Sequence, residues 1–273
     1  MSFATLMVHV DLFDTSDARV RLAIDLCDRF NSVLIGIAAC APVPPPVENG
    51  FAEGQLVADQ VRDIASRLER RGEQFRAVAG AHRSRIEWRS EIDFPVKVVA
   101  QEARAADLVI VGRDRVAGGP YQSLDPGSAI LQMGRPVLVV PPGIESLPAE
   151  RVVIGWKDTR EARRALRDSL PVLREAKRVT IVEVCDEGME EQARRSMDDV
   201  ADYLTRHRIG VAARILAHTK GPAADELIRV GGEERADLIV AGAYGHSRLG
   251  EWIFGGVTRD LLTTCPVCCL LAH

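Results

Sequence analysis

The sequence lacks the composition of several large classes of protein. It has 35 Lys and Arg residues against 39 Asp and Glu residues, a net charge of -4. Nucleic-acid-binding domains are usually basic, so this balance argues against a nucleic-acid partner. No apolar run approaches ~18 residues, so no membrane span is expected. The N-terminal stretch lacks a positively charged n-region, so no secretory signal is predicted and a cytoplasmic location is expected.

Cysteines and catalytic motifs are also scarce. The chain has six cysteines in 273 residues, a number that does not suggest a disulfide scaffold. Cys265 and Cys268 have the spacing of a redox or metal pair, but residues i and i+3 of a strand point to opposite faces. We therefore interpret them as core residues and expect no metal site. The sequence contains no GxxxxGK(S/T) loop, nucleophile elbow or HExxH motif, so we predict no catalytic residues.

What the chain does contain is an internal repeat. Residues 106–112 read ADLVIVG and residues 236–242 read ADLIVAG, an offset of 130 with four of seven positions identical. Residues 135–140 (RPVLVV) and 265–270 (CPVCCL) match at the same offset. Two independent matches at one offset indicate a duplicated domain.

Each half has the pattern of an α/β domain. Short aliphatic runs alternate with amphipathic helix patterns in the order βαβαβαβαβ, which is typical of a parallel sheet covered on both faces. We predict two tandem doubly wound domains with five-stranded parallel sheets, spanning residues 1–142 and 151–273. The Pro-rich segment 141–150 is the expected linker.

A glycine-rich loop follows the fourth predicted strand of the second copy. It contains Gly242, Gly245, Gly255 and Gly256, and a helix is predicted to begin near its end, with Thr258 in the first turn. Free N–H groups and the helix dipole make such a loop a ready anion site.

The spacing Gly242-x2-Gly245-x9-Gly255 resembles the nucleotide-binding signature G-x2-G-x9-G-(S/T) of the ATP-binding universal stress proteins. This resemblance extends over most of the chain and implies an adenine nucleotide alpha hydrolase-like fold. It also implies that the glycines surround the ribose and phosphates of a nucleotide. Gly256 stands where the family has Ser or Thr, and Thr258 is the candidate substitute. A second interpretation stays open: the glycines only pack the helix on the sheet.

Two further residues of the second copy are candidates for the same site. His246 follows Gly245 and is either a phosphate contact, an acid or base, or a polar loop residue. Lys157 follows the first strand, where the family commonly has an Asp near the adenosine. It either attracts phosphates or is simply solvated.

The first copy carries a weaker version of the site. Asp11 has the family's position, Gly112 matches the first glycine, and Gly127 with Ser128 resembles the final G-(S/T). Arg115 replaces the second glycine, which argues against close approach of a nucleotide.

The resemblance implies a stress-response protein that binds ATP or a related nucleotide in its second copy, with Mg²⁺ as a possible companion. Any hydrolysis is expected to be slow, and a role as an enzyme is left open. The family's pairing of single domains implies a pseudo-dimer within this chain, and a homodimer of chains is a further option. The alternative function is a module that binds an unknown protein partner or another small ligand without nucleotide.

Overall fold

A computed structural model describes residues 2–12, 16–44, 53–80, 85–113, 119–217, 222–245 and 256–273. In these ranges strands and helices alternate along most of the chain. The strands are β1 (Thr5–His9), β2 (Val33–Ala39), β3 (Ile86–Glu91), β4 (Leu108–Gly112), β5 (Val137–Val140), β6 (Arg151–Trp156), β7 (Arg178–Val184), β8 (Val211–Ala217), β9 (Leu238–Gly242) and β10 (Cys268–Ala272). The α-helices are α1 (Asp17–Phe30), α2 (Glu53–Ala79), α3 (Pro95–Glu102), α4 (Pro126–Gln132), α5 (Arg160–Leu173), α6 (Glu190–Arg206), α7 (Ala223–Glu233) and α8 (Gly256–Thr264).

The residues of these elements explain their form. Leu108–Val111 of β4 are all buried, as expected for a strand covered on both faces. In α5 the buried residues Ala162, Ala165, Leu166, Ser169 and Leu170 recur with the period of one helix face. None of the helices in the described ranges is long and apolar enough to cross a bilayer.

The chain forms two compact units. The N-terminal unit comprises Phe3–Arg135 and Pro142–Ser146, and its parallel sheet has the order β3-β2-β1-β4. The C-terminal unit comprises Pro136–Pro141 and Leu147–His273, and its sheet has the order β5-β10-β9-β6-β7-β8. The α/β architecture predicted from the sequence is confirmed.

The units differ from the predicted boundaries in the place of one strand. The sequence puts β5 in the first domain, which was predicted to end at residue 142. In the structure β5 belongs to the C-terminal unit and pairs with β10. This pair is antiparallel, whereas the other strand pairs of the unit are parallel. The C-terminal unit therefore has six strands rather than five, and one of them is antiparallel.

The register of β5 and β10 carries the mark of the repeat. Val139 lies opposite Cys269, and these two residues are separated by 130 positions, the repeat offset. The two strands are equivalent in the repeat, and the residues that face each other at the centre of the pair are equivalent too. Strands related by a local two-fold axis pair in this way.

The predicted linker and the cysteines are both packed. In segment 141–150, Leu147 and Ala149 are buried. Cys265, Cys268 and Cys269 are buried and form no disulfide in the described structure, and burial raises the pKa of Cys268 to about 12. These thiols therefore belong to the core of the C-terminal unit, as predicted.

Candidate functional site

A crevice opens in the C-terminal unit where the strand order reverses. The chain runs from β6 through β7 to β8 on one side, and α7 then leads back to β9 on the other side of β6. Ligands of doubly wound sheets bind at such switch points, beyond the carboxyl ends of the strands. A cavity of about 320 Å³ lies at this edge, within the size range of small-molecule sites.

One part of the cavity wall is apolar. Val182 and Val184 of β7 face Ala223 and Leu227 of α7 across it, and Ala241 of β9 adjoins them. The absence of a side chain at Gly155 allows the Leu227 side chain to pack close to β6. A Cβ on Gly155 would lie 3.0 Å from the Leu227 side chain. A flat, largely apolar group fits such a wall.

The other part of the cavity is polar. It contains Lys157, which directly follows β6, and the first turn of α8, formed by Gly256, Val257 and Thr258. Lys157 is exposed and is the one charged side chain among the described residues that line the cavity. This polar part offers an anion both a cation and a helix N-terminus.

Gly256 is the first residue of α8. Among the described residues, no heavy atom lies within 4 Å of a Cβ built on Gly256, so the packing of these residues does not explain this glycine. The first turn of α8 contains no acidic residue that would neutralise the helix dipole. Its N–H groups are therefore suited to an anionic ligand.

Gly242 has a packing role instead. A Cβ on Gly242 would lie 2.4 Å from the Ala162 nitrogen and 2.7 Å from the Glu161 carbonyl carbon. These are backbone atoms of the first turn of α5, so no side chain can replace the hydrogen without moving the helix. For Gly242, the interpretation that the glycine packs the helix on the sheet is sufficient.

Gly245 faces the acidic residue of that same turn. Its Cβ would lie 3.2 Å from Glu161 Oε2 and 3.7 Å from Thr159 Oγ1. Thr159 caps α5, since its side chain accepts a hydrogen bond from the Ala162 N–H at 3.3 Å. Gly245 thus leaves room for the Glu161 carboxylate.

The Glu161 carboxylate is a built-in anion at the N-terminus of α5. Burial alone would raise its pKa, but hydrogen bonds from its own N–H, from Arg160 and from Thr159 outweigh burial and lower the pKa. Arg160 Nε donates to Glu161 Oε1 at 3.0 Å. Because α5 already has this negative charge, α8 is the better place for a ligand anion.

Thr258 anchors the strand end rather than facing solvent. It is buried, and its Oγ1 accepts a hydrogen bond from the Tyr244 N–H at 3.1 Å. Tyr244 has a φ of 56°, a left-handed conformation that costs energy for a non-glycine residue.

Glu183 is a second buried carboxyl near this edge. Its side chain lies on the face of β7 opposite the cavity-lining valines. The Oε2 atom has no hydrogen-bond partner among the described residues. Burial raises the pKa of Glu183 to about 7, although the Lys157 charge opposes this rise. The group is therefore partly protonated near neutral pH.

The structure brings together Gly242, Gly245, Gly256, Thr258 and Lys157 around one cavity. The other two predicted residues, His246 and Gly255, lie outside the described residues. Arg115 of the first copy also lies outside them.

In the N-terminal unit, the end of the first strand is occupied by charged side chains of the unit itself. Leu6 and Val152 pair with the repeat equivalents Leu108 and Leu238, so Asp11 corresponds to Lys157 five residues later. Asp11 is mostly buried and forms an ion pair with Arg19.

Arg19 is enclosed by further partners. Its Nε donates to the His9 carbonyl oxygen at 3.0 Å, and its Nη2 donates to Ser16 Oγ at the same distance. Burial would raise the pKa of Asp11, but the charges of His9 and Arg19 and hydrogen bonds from Arg19 and Ser16 lower it. Burial also lowers the pKa of His9 to about 4.

Gly112 makes room for this guanidinium. A Cβ on Gly112 would lie 1.8 Å from Arg19 Nη1. The glycine that matches Gly242 is thus used to accommodate an arginine of the same unit, not a ligand.

Gly127 and Ser128 lie in the first turn of α4, where a carboxylate is already present. Asp125 caps this helix: its Oδ2 accepts hydrogen bonds from the Ser128 N–H at 2.8 Å and from the Ser128 hydroxyl at 2.9 Å. Gly127 is buried. The positions predicted as the weaker site of the first copy are therefore occupied by charges of the protein itself. Arg19 is the cation beside Gly112, and Asp125 is the anion at the N-terminus of α4.

The sequence did not point to several residues that form the cavity of the C-terminal unit and the equivalent region of the N-terminal unit. Arg19 and Glu161 stand inside helices among many other charges, and the apolar wall comes from β7 and α7, distant along the chain. A useful signal was present in the repeat: Asp11 and Lys157 are equivalent positions but opposite in charge.

Comparison with known proteins agrees with this description. The model of the universal stress protein family matches residues 148–273, a range that contains the whole predicted second copy, 151–273. No curated protein matches the sequence.

Solved structures match over the full length. A universal stress protein from Archaeoglobus fulgidus DSM 4304 is similar with a TM-score of 0.75 and 13% identity, covering 99% of this chain and 98% of that one. A protein of unknown function from Pseudomonas aeruginosa PAO1 has a TM-score of 0.59 and 12% identity, covering 99% and 92%. At these identities the likeness shows the fold alone. Together these findings show that the C-terminal half of the chain, residues 148–273, matches the universal stress protein family and that the whole chain has the fold of a solved universal stress protein.

Proposed function

We propose that the C-terminal unit binds a nucleotide, ATP or a relative, with the phosphates at the N-terminus of α8. Gly256 carries this proposal, because the packing of the described residues accounts for Gly242 and Gly112 but not for Gly256. An anion at this point meets free N–H groups and a helix dipole that no acidic residue of the first turn opposes.

The rest of the ligand fits the remaining cavity. A nucleobase has flat faces that pack well on apolar side chains and a polar edge, and Val182, Val184 and Leu227 of the cavity wall offer a surface for such a face. Such a site binds by a large apolar contact and a few placed polar groups, which is the usual composition of a small-molecule pocket.

The donor set indicates how a metal would be held. Among the described His, Cys, Asp and Glu residues, no group of three could hold a metal ion. A Mg²⁺ ion would therefore be held by the phosphates and water, as is common for nucleotide-bound magnesium. Of the described carboxylates near the cavity, Glu161 is fully engaged with its own helix end. We expect binding with at most slow hydrolysis, and a signalling role through protein partners.

The tandem chain also suggests an internal pairing. β5 and β10, the last strands of the two copies, pair around the equivalent residues Val139 and Cys269. This register supports the proposal that the chain forms a pseudo-dimer by itself. Sedimentation at increasing concentration tests the further option of a homodimer.

Isothermal titration of the full chain with ATP and Mg²⁺ tests the nucleotide proposal. The variant Gly256→Asp places a carboxylate at the N-terminus of α8. We expect saturable binding by the wild type and a loss of affinity of about tenfold or more in the variant, from charge repulsion and an occupied helix end.

Gly210→Asp is the matched control. A Cβ on Gly210 would likewise meet nothing within 4 Å, and this glycine lies in the loop before β8, at the other edge of the sheet. The affinity of this variant should equal that of the wild type. No saturable binding up to millimolar ATP would refute the proposal and favour the alternative, a module for protein partners. Equal affinity of Gly256→Asp and wild type would refute the placement of the phosphates.

A further inference from the structure

Three parts of the cavity follow three neighbouring strands. The N-terminus of α8 lies beyond β9, Lys157 directly follows β6, and Val184 ends β7. These strands are adjacent in the order β9-β6-β7. Adjacent strands are about 4.8 Å apart, so the three positions extend over about 10 Å. A nucleotide with phosphate at α8 and its base on the valine wall therefore has its ribose over the end of β6.

Lys157 is the group that meets the ribose in this arrangement. Among the described residues it forms no ion pair, and the neighbouring acids are weak competitors for it. Asp158 is engaged by Arg163, whose Nε donates to Asp158 Oδ1 at 3.0 Å. Glu183 is buried, which raises its pKa to about 7 and limits its negative charge at neutral pH. The ammonium group is thus available to a ligand.

The charge at this position determines what it can recognise. In dinucleotide-binding sheets, an acidic residue beside the ribose binds its hydroxyl groups, whereas a basic residue accommodates a ribose phosphate. The first copy has the acidic residue, Asp11, at the equivalent position, and the second copy has the basic one. The only charged side chain on the described cavity wall is therefore of the type that binds a phosphate on the ribose.

We infer that the C-terminal site prefers nucleotides that carry a phosphate on the 2′ or 3′ position of the ribose, and that Lys157 is the residue that determines this preference. The inference rests on the proposed function, since it requires a nucleotide in the cavity. It goes beyond that function by naming the class of nucleotide.

Two ligands with the same number of phosphates separate the inference from general phosphate attraction. ADP has both phosphates at the 5′ end, and adenosine 3′,5′-bisphosphate has one at each position. Adenosine 2′,5′-bisphosphate distinguishes the two ribose hydroxyls. Isothermal titration of the full wild-type chain should show about tenfold or tighter binding of at least one bisphosphate than of ADP, as a charge-assisted hydrogen bond would give.

Substitutions at Lys157 test its part. Lys157→Gln should abolish the preference, and Lys157→Asp, which copies the first repeat, should reverse it in favour of ADP. Lys177→Gln is the control: Lys177 is exposed, pairs with Glu150 and precedes β7 at the opposite end of the strand. It should keep the wild-type preference.

The outcomes separate the two proposals. Equal binding of ADP and both bisphosphates, or a preference that survives in Lys157→Gln, would overturn the inference and leave nucleotide binding intact. An equal loss of affinity for all ligands in Lys157→Gln would also overturn it, since Lys157 would then be a general phosphate contact. Binding of none of the ligands by the wild type would overturn both.

Discussion

The N-terminal unit contains the Arg19 side chain beside Gly112, whereas the C-terminal unit has an open cavity beside the equivalent Gly242. In the first unit a buried ion pair between Arg19 and Asp11 fills the place where the first strand ends. In the second unit the corresponding strand end carries Lys157, which faces the cavity.

The helix ends show the same contrast. Asp125 caps α4 through Ser128 in the N-terminal unit, whereas the first turn of α8 has no acidic residue and begins with a glycine whose Cβ would meet no atom of the described residues within 4 Å. Among the described residues, one copy of the fold pairs its own charges at these positions, whereas the other has a lysine without an ion pair and a helix N-terminus on the wall of a cavity. A duplicated domain can thus keep its backbone in both copies while the side chains at equivalent positions differ.

The largest expected effect comes from breaking the internal ion pair of the N-terminal unit. Asp11→Ala leaves the Arg19 guanidinium buried without a counter-charge, which should cost about 3–5 kcal/mol of unfolding free energy. Urea unfolding followed by tryptophan fluorescence measures this loss, because Trp88 lies in that unit against Phe75.

A surface ion pair serves as the control for this experiment. Arg21 and Glu145 belong to the same unit, and both side chains are about half exposed. Glu145→Ala should cost less than about 1 kcal/mol. Equal losses in the two variants would show that Arg19 and Asp11 do not form a buried, mutually dependent pair.

These differences between the units set the limit of what the sequence could predict. The order of strands and helices was predictable, because aliphatic runs and the helical period are local signals. Gly112 and Gly242 were selected from the sequence as candidate nucleotide-binding glycines. Their reasons were not predictable, since the atoms that exclude a Cβ belong to Arg19 and Ala162, some 80 or more residues away.

The assignment of β5 to the C-terminal unit could not be predicted for a similar reason. Its sequence predicts a strand, but only its pairing with β10 puts it in the C-terminal unit. The charge contrast between Asp11 and Lys157 was visible in the repeat. The Arg19 side chain that pairs with Asp11 was not, because α1 contains other exposed charges with the same appearance.

An intermediate effect should separate the two kinds of glycine. Gly242→Ala forces a methyl group against the backbone of α5, 2.4 Å from the Ala162 nitrogen, and should destabilise the protein by about 1–3 kcal/mol. Gly256→Ala has open space around its Cβ and should change the free energy of unfolding by less than about 0.5 kcal/mol.

Ligand titration completes this comparison. If the phosphates bind as proposed, Gly256→Ala should weaken ATP binding several-fold despite its normal stability, because its methyl group would lie in the space assigned to them. Loss of stability in Gly256→Ala with unchanged ATP affinity would give this glycine a packing role instead.

The smallest effect distinguishes the units by their response to pH. Burial lowers the pKa of His9 in the N-terminal unit from 6.5 to about 4, so folding keeps the ring neutral and stability is lost as pH falls through this range. Burial raises the pKa of Glu183 in the C-terminal unit from 4.5 to about 7, so stability is lost as pH rises through this range.

The variant Glu183→Gln removes only the pH dependence that comes from Glu183. It should raise the free energy of unfolding at pH 8, where the wild-type carboxyl is charged and Oε2 has no partner among the described residues, and should have a much smaller effect at pH 5. Urea unfolding at the two pH values measures the difference, with Glu191→Gln, an exposed partner of Arg195, as the control. An equal effect of Glu183→Gln at pH 5 and pH 8 would mean that this carboxyl does not titrate between them.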